Sequence, residues 1–227
     1  MYYDADQFVW NEQGWMTFQN PDYTYTKGID VSTFQHEIDW NQVAESDIDF
    51  AMIRAGYRGA VEGLLHEDSE FQENVNGALQ NNIDVGVYWY SSAINEEELE
   101  EEIEFLLSLI EPYSLAYPVA FDMEPYAADE NGGRIHVLSQ EERTKLALLF
   151  CEKMKQHGYD VLIYGNWDWL YNSLDFSAIS NQEIWYAAYQ NKPAMPDRFT
   201  MWQYSNNGMI PGIETTVDLN IFIQKKE

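Results

Sequence analysis

Apolar positions along the chain recur with two different periods, and the period switches from one stretch to the next. Phe50–Ala55 (FAMIRA) and Val85–Tyr90 (VGVYWY) are short apolar runs of the kind produced by strands buried on both faces. Gly28–Val31, Tyr117–Met123, Val161–Tyr164, Glu183–Tyr189, Phe199–Tyr204 and Val217–Phe222 read as further strands. Between several of these runs the spacing turns helical. Ser69–Asn81 places Phe71, Val75, Ala78 and Leu79 on one side. Asn95 is placed to cap a helix whose first turn holds Glu96, Glu97 and Glu98, suited to the positive end of the helix dipole. Leu99, Ile103, Leu106 and Ile110 then follow at helical spacing. Ser139 and Glu142 form a capping box that opens a helix ending near Gly158. Asp39-Trp40-Asn41-Gln42-Val43 is a capped helix start.

Strand and helix alternate at least four times before the C-terminal third becomes strand-rich with short connections. That order predicts an α/β fold, an irregular TIM-like (β/α) barrel with fewer helices than strands, and residues 27–227 read as its single domain. Residues 1–26 follow neither period. This leader is polar but carries eight aromatics, including Tyr3, Phe8, Trp15 and Phe18. A disordered linker rarely holds so many, so part of the leader is expected to pack on the barrel.

Composition narrows the function. The chain has 227 residues, 45% of them hydrophobic, which excludes wholesale disorder. A net charge of −27 leaves no basic footprint for nucleic acid, and it tends to raise the pKa of any carboxyl group in its field. No run of 18 apolar residues suggests a membrane segment, and the start MYYDADQF has neither the basic nor the apolar region of an export signal. The single cysteine, Cys151, excludes an intrachain disulfide and reads as a buried inert thiol. His36, His66, His136 and His157 show no ligand spacing, so no metal or cofactor is expected. Aromatics reach 15%, with 8 Trp and 16 Tyr; most are expected in the core, and the remainder offer stacking faces for sugar rings.

The candidate chemistry centres on Phe121-Asp122-Met123-Glu124-Pro125. Asp122 and Glu124 follow an apolar run, so they sit at a strand end, and residues i and i+2 share one face. Two acids pointing together into a barrel mouth cannot both ionise freely. One protonated acid beside one carboxylate is the pair that glycoside hydrolysis uses. Asp30 ends the first strand and Asp218 lies in the last, and in a closed barrel those strands are neighbours.

The order of motifs resembles that of the glycoside hydrolase family 25 lysozymes, the N-acetylmuramidases. The matching stretches run from GIDVSTFQHEIDW (28–40) through FAMIRAGYRG (50–59), DSEFQENVNGA (68–78), VGVYWY (85–90) and PVAFDMEP (118–125) to IYGNWDWL (163–170), IWYAAY (184–189) and MWQYSNNGMIPGIETTVDLNIF (201–222). The resemblance implies an irregular barrel cleaving the β-1,4 bond between N-acetylmuramic acid and N-acetylglucosamine. By that match Glu124 is the general acid, Asp122 its partner carboxylate, and Asp30 and Asp218 the remaining active-site acids. Tyr88, Tyr164, Trp185, Tyr189 and Gln203 fall on groove-lining, substrate-binding positions. The implied partner is the peptidoglycan glycan strand, met outside the cell or at the wall by a monomer. The chain departs from the family pattern in three places: His36 and Glu37 after Gln35, Arg58, and the loop from Ala127 to Val137. These departures are expected around the groove. A chitinase-like glycosidase, a catalytically silent wall-binding module and a hard-cation site on the four acids are the rival readings.

Overall fold

The computed structural model describes residues 1–226. In chain order its regular elements are β1 (Phe8–Trp10), β2 (Met16–Phe18), β3 (Tyr23–Val31), α1 (Trp40–Ala44), β4 (Phe50–Arg58), β5 (Leu65–Glu67), α2 (Phe71–Gln80), β6 (Asp84–Tyr90), α3 (Glu96–Ile110), β7 (Val119–Asp122), α4 (Gln140–Gln156), β8 (Val161–Asn166), α5 (Phe176–Ile179), β9 (Glu183–Ala187), β10 (Met201–Gly208) and β11 (Val217–Lys225). Strands β3, β11, β10, β9, β8, β7, β6 and β4 follow one another around the sheet, and β4 pairs back to β3 to close it. All neighbouring pairs in the barrel are parallel except those of β11, which runs against both β10 and β3. The fold is therefore the irregular α/β barrel that the alternation predicts, with helices thinning out toward the C-terminus.

The strands read as continuous apolar runs because both of their faces are buried. Outward residues such as Ile29, Ile53, Val87, Phe121 and Ile163 pack into one large core beneath the helices. Inward residues form a second, separate core inside the barrel: Phe50, Met52, Ala120, Leu162, Trp185, Met201 and Phe222. Phe50 and Tyr117 stack at 4.2 Å between ring centroids, and Phe222 closes edge-on at 5.1 Å from Tyr117. This apolar plug fills the lower barrel and excludes water from it, so that only the upper end opens.

The predicted caps form. The Asn95 side chain accepts the Glu98 N–H, and Ser139 and Glu142 make the reciprocal capping box. Three elements were not legible as periodic patterns: the β1–β2 hairpin, the short β5, and a π-helical turn at Trp169–Ser173 leading into the four-residue α5. Each is too short for either period to repeat. The leader also differs from its irregular reading. Tyr23–Thr26 already belongs to β3 and pairs with Phe222–Lys225 of β11, so the barrel begins ahead of Lys27.

Residues preceding β3 fold against the side of the barrel where no helix follows the strands. Tyr3, Phe8, Trp15, Met16 and Phe18 are all buried. Phe8 meets Trp202 edge-on at 5.3 Å, Tyr3 packs on Phe199 at 4.9 Å, and the Met16 N–H donates to the Tyr204 hydroxyl at 3.3 Å. In a (β/α) barrel a helix normally covers each outer strand face; here an aromatic hairpin covers that of β10.

Candidate active site

Period-2 alternation decides which residues reach the barrel mouth. On β7, Ala120 points into the barrel core while Phe121 points out, so Asp122 points in again. The strand ends at Asp122, Met123 turns outward into the helical layer, and Glu124 follows as an inward residue just past the strand. The Tyr90 hydroxyl donates to the Glu124 carbonyl at 3.1 Å, and the Ser91 N–H donates to the Asp122 carbonyl at 2.7 Å, which fixes the backbone under both acids. The same alternation carries Tyr88 above Gly86 on β6, Tyr164 above Leu162 on β8, and Gln203 above Met201 on β10.

Strand β11 is antiparallel, so only a residue near its start can reach this rim. Asp218 is its second residue, and it lies directly opposite Asp30 of β3. All nine site residues read from the sequence line one open groove of about 810 Å³ at the C-terminal ends of the parallel strands. Asp30, Asp122, Glu124 and Asp218 stand over its floor; Trp185 is that floor. Trp185 is only 1% exposed, with Tyr164 edge-on at 4.9 Å and Tyr88 at 6.0 Å, so it supports the groove rather than offering a stacking face. Tyr189, 52% exposed, stands at the rim.

A directed hydrogen-bond chain fixes Asp30. The Trp185 indole, which can only donate, gives its Nε1–H to Asn220 Oδ1 at 2.8 Å. That orients the Asn220 amide so that Nδ2 donates to Asp30 Oδ2 at 2.7 Å. Gln203 Nε2 donates to the same oxygen at 2.9 Å, while its Oε1 accepts the Tyr164 and Tyr189 hydroxyls at 3.0 and 3.1 Å. Burial holds the Tyr164 phenol well above its ordinary range, so it remains a donor.

Burial also governs the acids. It pushes Asp218 up to about 8, helped by the negative charge of Asp30 opposite. It pushes Asp30 up to about 6, with the donations from Gln203 and Asn220 pulling back. The pair therefore shares one proton, carried on Asp218 and donated to Asp30. Asp122 is raised well above the carboxylate range by burial, then by the charges of Glu124 and Asp30, with the Arg54 guanidinium opposing. Its Oδ1 is buried and lacks any hydrogen-bond partner. Glu124 is raised by burial and then by Asp30. Among the described residues no three His, Cys, Asp or Glu side chains are placed to hold a metal ion.

Sequence reasoning missed Arg54, Asp68, Tyr90 and Asn220. For Arg54 and Asn220 a signal existed. Arg54 continues the inward series Phe50, Met52, and Asn220 lies midway between inward Asp218 and Phe222. A lone polar residue at that phase in an apolar strand marks a barrel interior position. Two expectations about the groove also need correction. Arg58 points away from it, with Nε donating to Glu102 at 2.9 Å and Nη2 to Glu101 at 2.8 Å and to the Glu98 carbonyl, which ties β4 to α3. It lies at the opposite phase to Arg54 across the bulge between Arg54 and Gly56. His36 and Glu37 border a different surface concavity beside α1 and α2. Of the loop from Ala127 to Val137, Ala127 and Ala128 do line the groove.

The model of the glycosyl hydrolases family 25 matches residues 29–213. The chain is 28% identical over 197 residues to the autolytic lysozyme of Clostridium acetobutylicum, covering 86% of this chain and 55% of that relative, so it spans about half of that protein's length. The modular autolysin LytC from Streptococcus pneumoniae, solved in complex with a synthetic peptidoglycan ligand, superposes with a TM-score of 0.79 at 26% identity, over 95% of this chain and 50% of the other. A family 25 glycosyl hydrolase from Bacillus anthracis superposes with a TM-score of 0.73 at 28% identity, over 89% of this chain and 90% of the other.

Proposed function

The chain belongs to the glycosyl hydrolases family 25, and from that premise we propose that it is a lysozyme-type peptidoglycan hydrolase. It cleaves the β-1,4 bond between N-acetylmuramic acid and N-acetylglucosamine, outside the cell or at the wall. The observation that carries this reading is the pair of adjacent acids, Asp122 buried and Glu124 half-buried, at the barrel mouth, beside Asp218 and an Asp30 held in place by the Gln203 and Asn220 amides.

Glu124 serves as general acid. Its side chain is the more accessible of the pair, which suits it to reach the leaving glycosidic oxygen. The proton must then reside on Glu124 in the complex, with Asp122 ionised. Two features favour that distribution once sugar binds. Arg54 acts on Asp122 and opposes its protonation. The buried, unpartnered Oδ1 of Asp122 is an acceptor awaiting a donor, and a 2-acetamido N–H supplies one. Asp122 accordingly orients the acetamide for attack on the anomeric carbon and stabilises the positive charge that develops on the sugar. Direct attack by Asp122 is less favoured, because the two acids come from one strand end rather than from opposite walls.

Glu124→Gln is expected to abolish release of muropeptides from purified wall while leaving the fold intact by circular dichroism. Asp122→Asn should cost orders of magnitude, and Asp30→Asn less. New reducing ends carrying muramic acid support a muramidase; new ends carrying glucosamine support the chitinase-like alternative. Near-normal turnover by Glu124→Gln would sink the assignment.

A further inference from the structure

The groove is acidic but holds one fixed positive charge. Among the described residues lining it, Arg54 is the sole lysine or arginine, facing Asp30, Asp122, Glu124 and Asp218. Its position is tightly determined. The guanidinium lies against Phe34 and Tyr57, 5.1 and 5.2 Å from the ring centroids. Its Nε donates to Asp68 Oδ2 at 2.7 Å, and Asp68 is itself fully buried, accepting the Thr33 and Glu70 N–H groups.

What Arg54 does not do is as informative. A guanidinium has five N–H donors, and pairing with a carboxylate commonly engages two nitrogens side by side. Here only Nε is engaged. Neither Nη donates a hydrogen bond within the described residues, and none of the four groove acids takes one. The side chain is 12% exposed, and neither Nη is among the buried side-chain nitrogens without a partner, so both stay accessible from the groove. An arginine serving only to anchor Asp68 has no need to leave four donors facing a substrate groove. Aromatic contacts on Phe34 and Tyr57 and the Asp68 anchor hold the fork ready for a planar anion.

We propose that Arg54 binds a carboxylate of the glycan in this groove and so discriminates muramyl glycans from neutral N-acetylglucosamine chains. The inference rests on the peptidoglycan reading above. N-acetylmuramic acid differs from N-acetylglucosamine by an ether-linked lactyl group ending in a carboxyl. That carboxyl is free where the peptide has been removed; where the peptide remains, the stem brings carboxylates of its own. Both sources offer the same two-oxygen acceptor. A chitin-type chain offers none.

The test uses the full chain, Arg54→Met, which preserves the hydrophobic stem, and Arg54→Lys, which keeps the charge but not the fork. Because Arg54→Met strands the buried Asp68 charge, Arg54→Met/Asp68→Asn is made as well. Each protein is assayed on peptide-free glycan with free lactyl carboxyls and on peptide-bearing wall, each before and after methyl-esterification. N-acetylmuramic acid and its methyl ester are also titrated into each protein as binding probes. The unsubstituted protein is expected to prefer the free acid over the ester by roughly 10- to 100-fold in kcat/KM and in affinity, the range of a charge-assisted hydrogen-bonded pair. In both methionine variants that ratio should collapse toward unity, with Arg54→Lys in between. A preference confined to the peptide-free glycan assigns the lactyl carboxylate, and one confined to peptide-bearing wall assigns the stem. Equal losses on acid and ester would mean that Arg54 acts only through Asp122 or Asp68, and would overturn the proposal, as would absence of any preference in the unsubstituted protein. If no glycan is cleaved at all, the peptidoglycan reading falls, while the two binding probes still decide the role of Arg54.

Discussion

Asp218→Asn tests the electrostatics of the site with a sign that intuition about buried acids does not readily supply. In the folded chain burial and the facing Asp30 raise the Asp218 carboxyl from its ordinary 3.8 to about 8. The folded state therefore binds this proton more tightly than the unfolded state does. Between those two values folding takes up a proton, so stability contributed by this group falls as pH rises from about 4 to about 8, and the penalty is constant above. At about 1.36 kcal/mol per tenfold change in proton affinity, the full shift sets a ceiling near 6 kcal/mol at pH 9 and near 2 kcal/mol at pH 5. Asp218 lies at the groove mouth and is partly exposed, so water and side-chain relaxation reduce the realised difference to about 1–2 kcal/mol across that interval. An asparagine cannot ionise, and its amide can donate to Asp30 as the protonated Asp218 does. Urea unfolding of both proteins from pH 5 to 9 measures the effect. The variant should gain on the unsubstituted protein as pH rises, with the gain flattening above pH 8. A difference that stays constant with pH, or a variant that loses ground at high pH, would refute the shared-proton account.

Three further outcomes follow from the structure. Deleting residues 1–19 should destabilise the barrel by several kcal/mol in denaturant titration, since it uncovers Phe199, Trp202 and Tyr204, and a buried aromatic side chain contributes about 1.5–3 kcal/mol; an unchanged midpoint would show the hairpin to be dispensable. Trp185→Phe removes the only donor to Asn220 Oδ1 among the described residues, which frees that amide to flip away from Asp30; a loss of about 1–3 kcal/mol and a displaced pH profile are expected, and an unaltered pH profile would count against the chain of bonds. With a net charge of −27, cleavage of a polyanionic wall should quicken on adding moderate salt or divalent ions, whereas a steep fall would contradict a repulsive encounter.

The Arg58 cluster illustrates how placement changes a residue's meaning. Glu102 is buried beside Arg58, and burial still pushes its carboxyl up to about 7. Arg134, from the loop after the Asp122/Glu124 strand end, binds Glu98 at 2.8 Å on the same helix. The loop bordering the groove is thus braced from α3 by an ion pair, Arg134–Glu98, whose residues do not line the groove.

The sequence by itself determined the longer strands and helices and singled out the four acids. Apolar runs broken by capped amphipathic helices specify buried parallel strands with crossover helices, and that is a local property of spacing. The D-x-E motif places two acids on one strand face for the same reason. What local spacing could not decide was phase across strands. Whether Arg54 or Arg58 faces the groove depends on a bulge in β4, and a one-residue shift in a strand exchanges its two faces. The antiparallel pairing of β11 with β3 is likewise a product of barrel closure, and it alone sets Asp218 opposite Asp30, 188 positions away in the chain. The proton they share and the donor chain from Trp185 through Asn220 exist only once that closure removes water from between them.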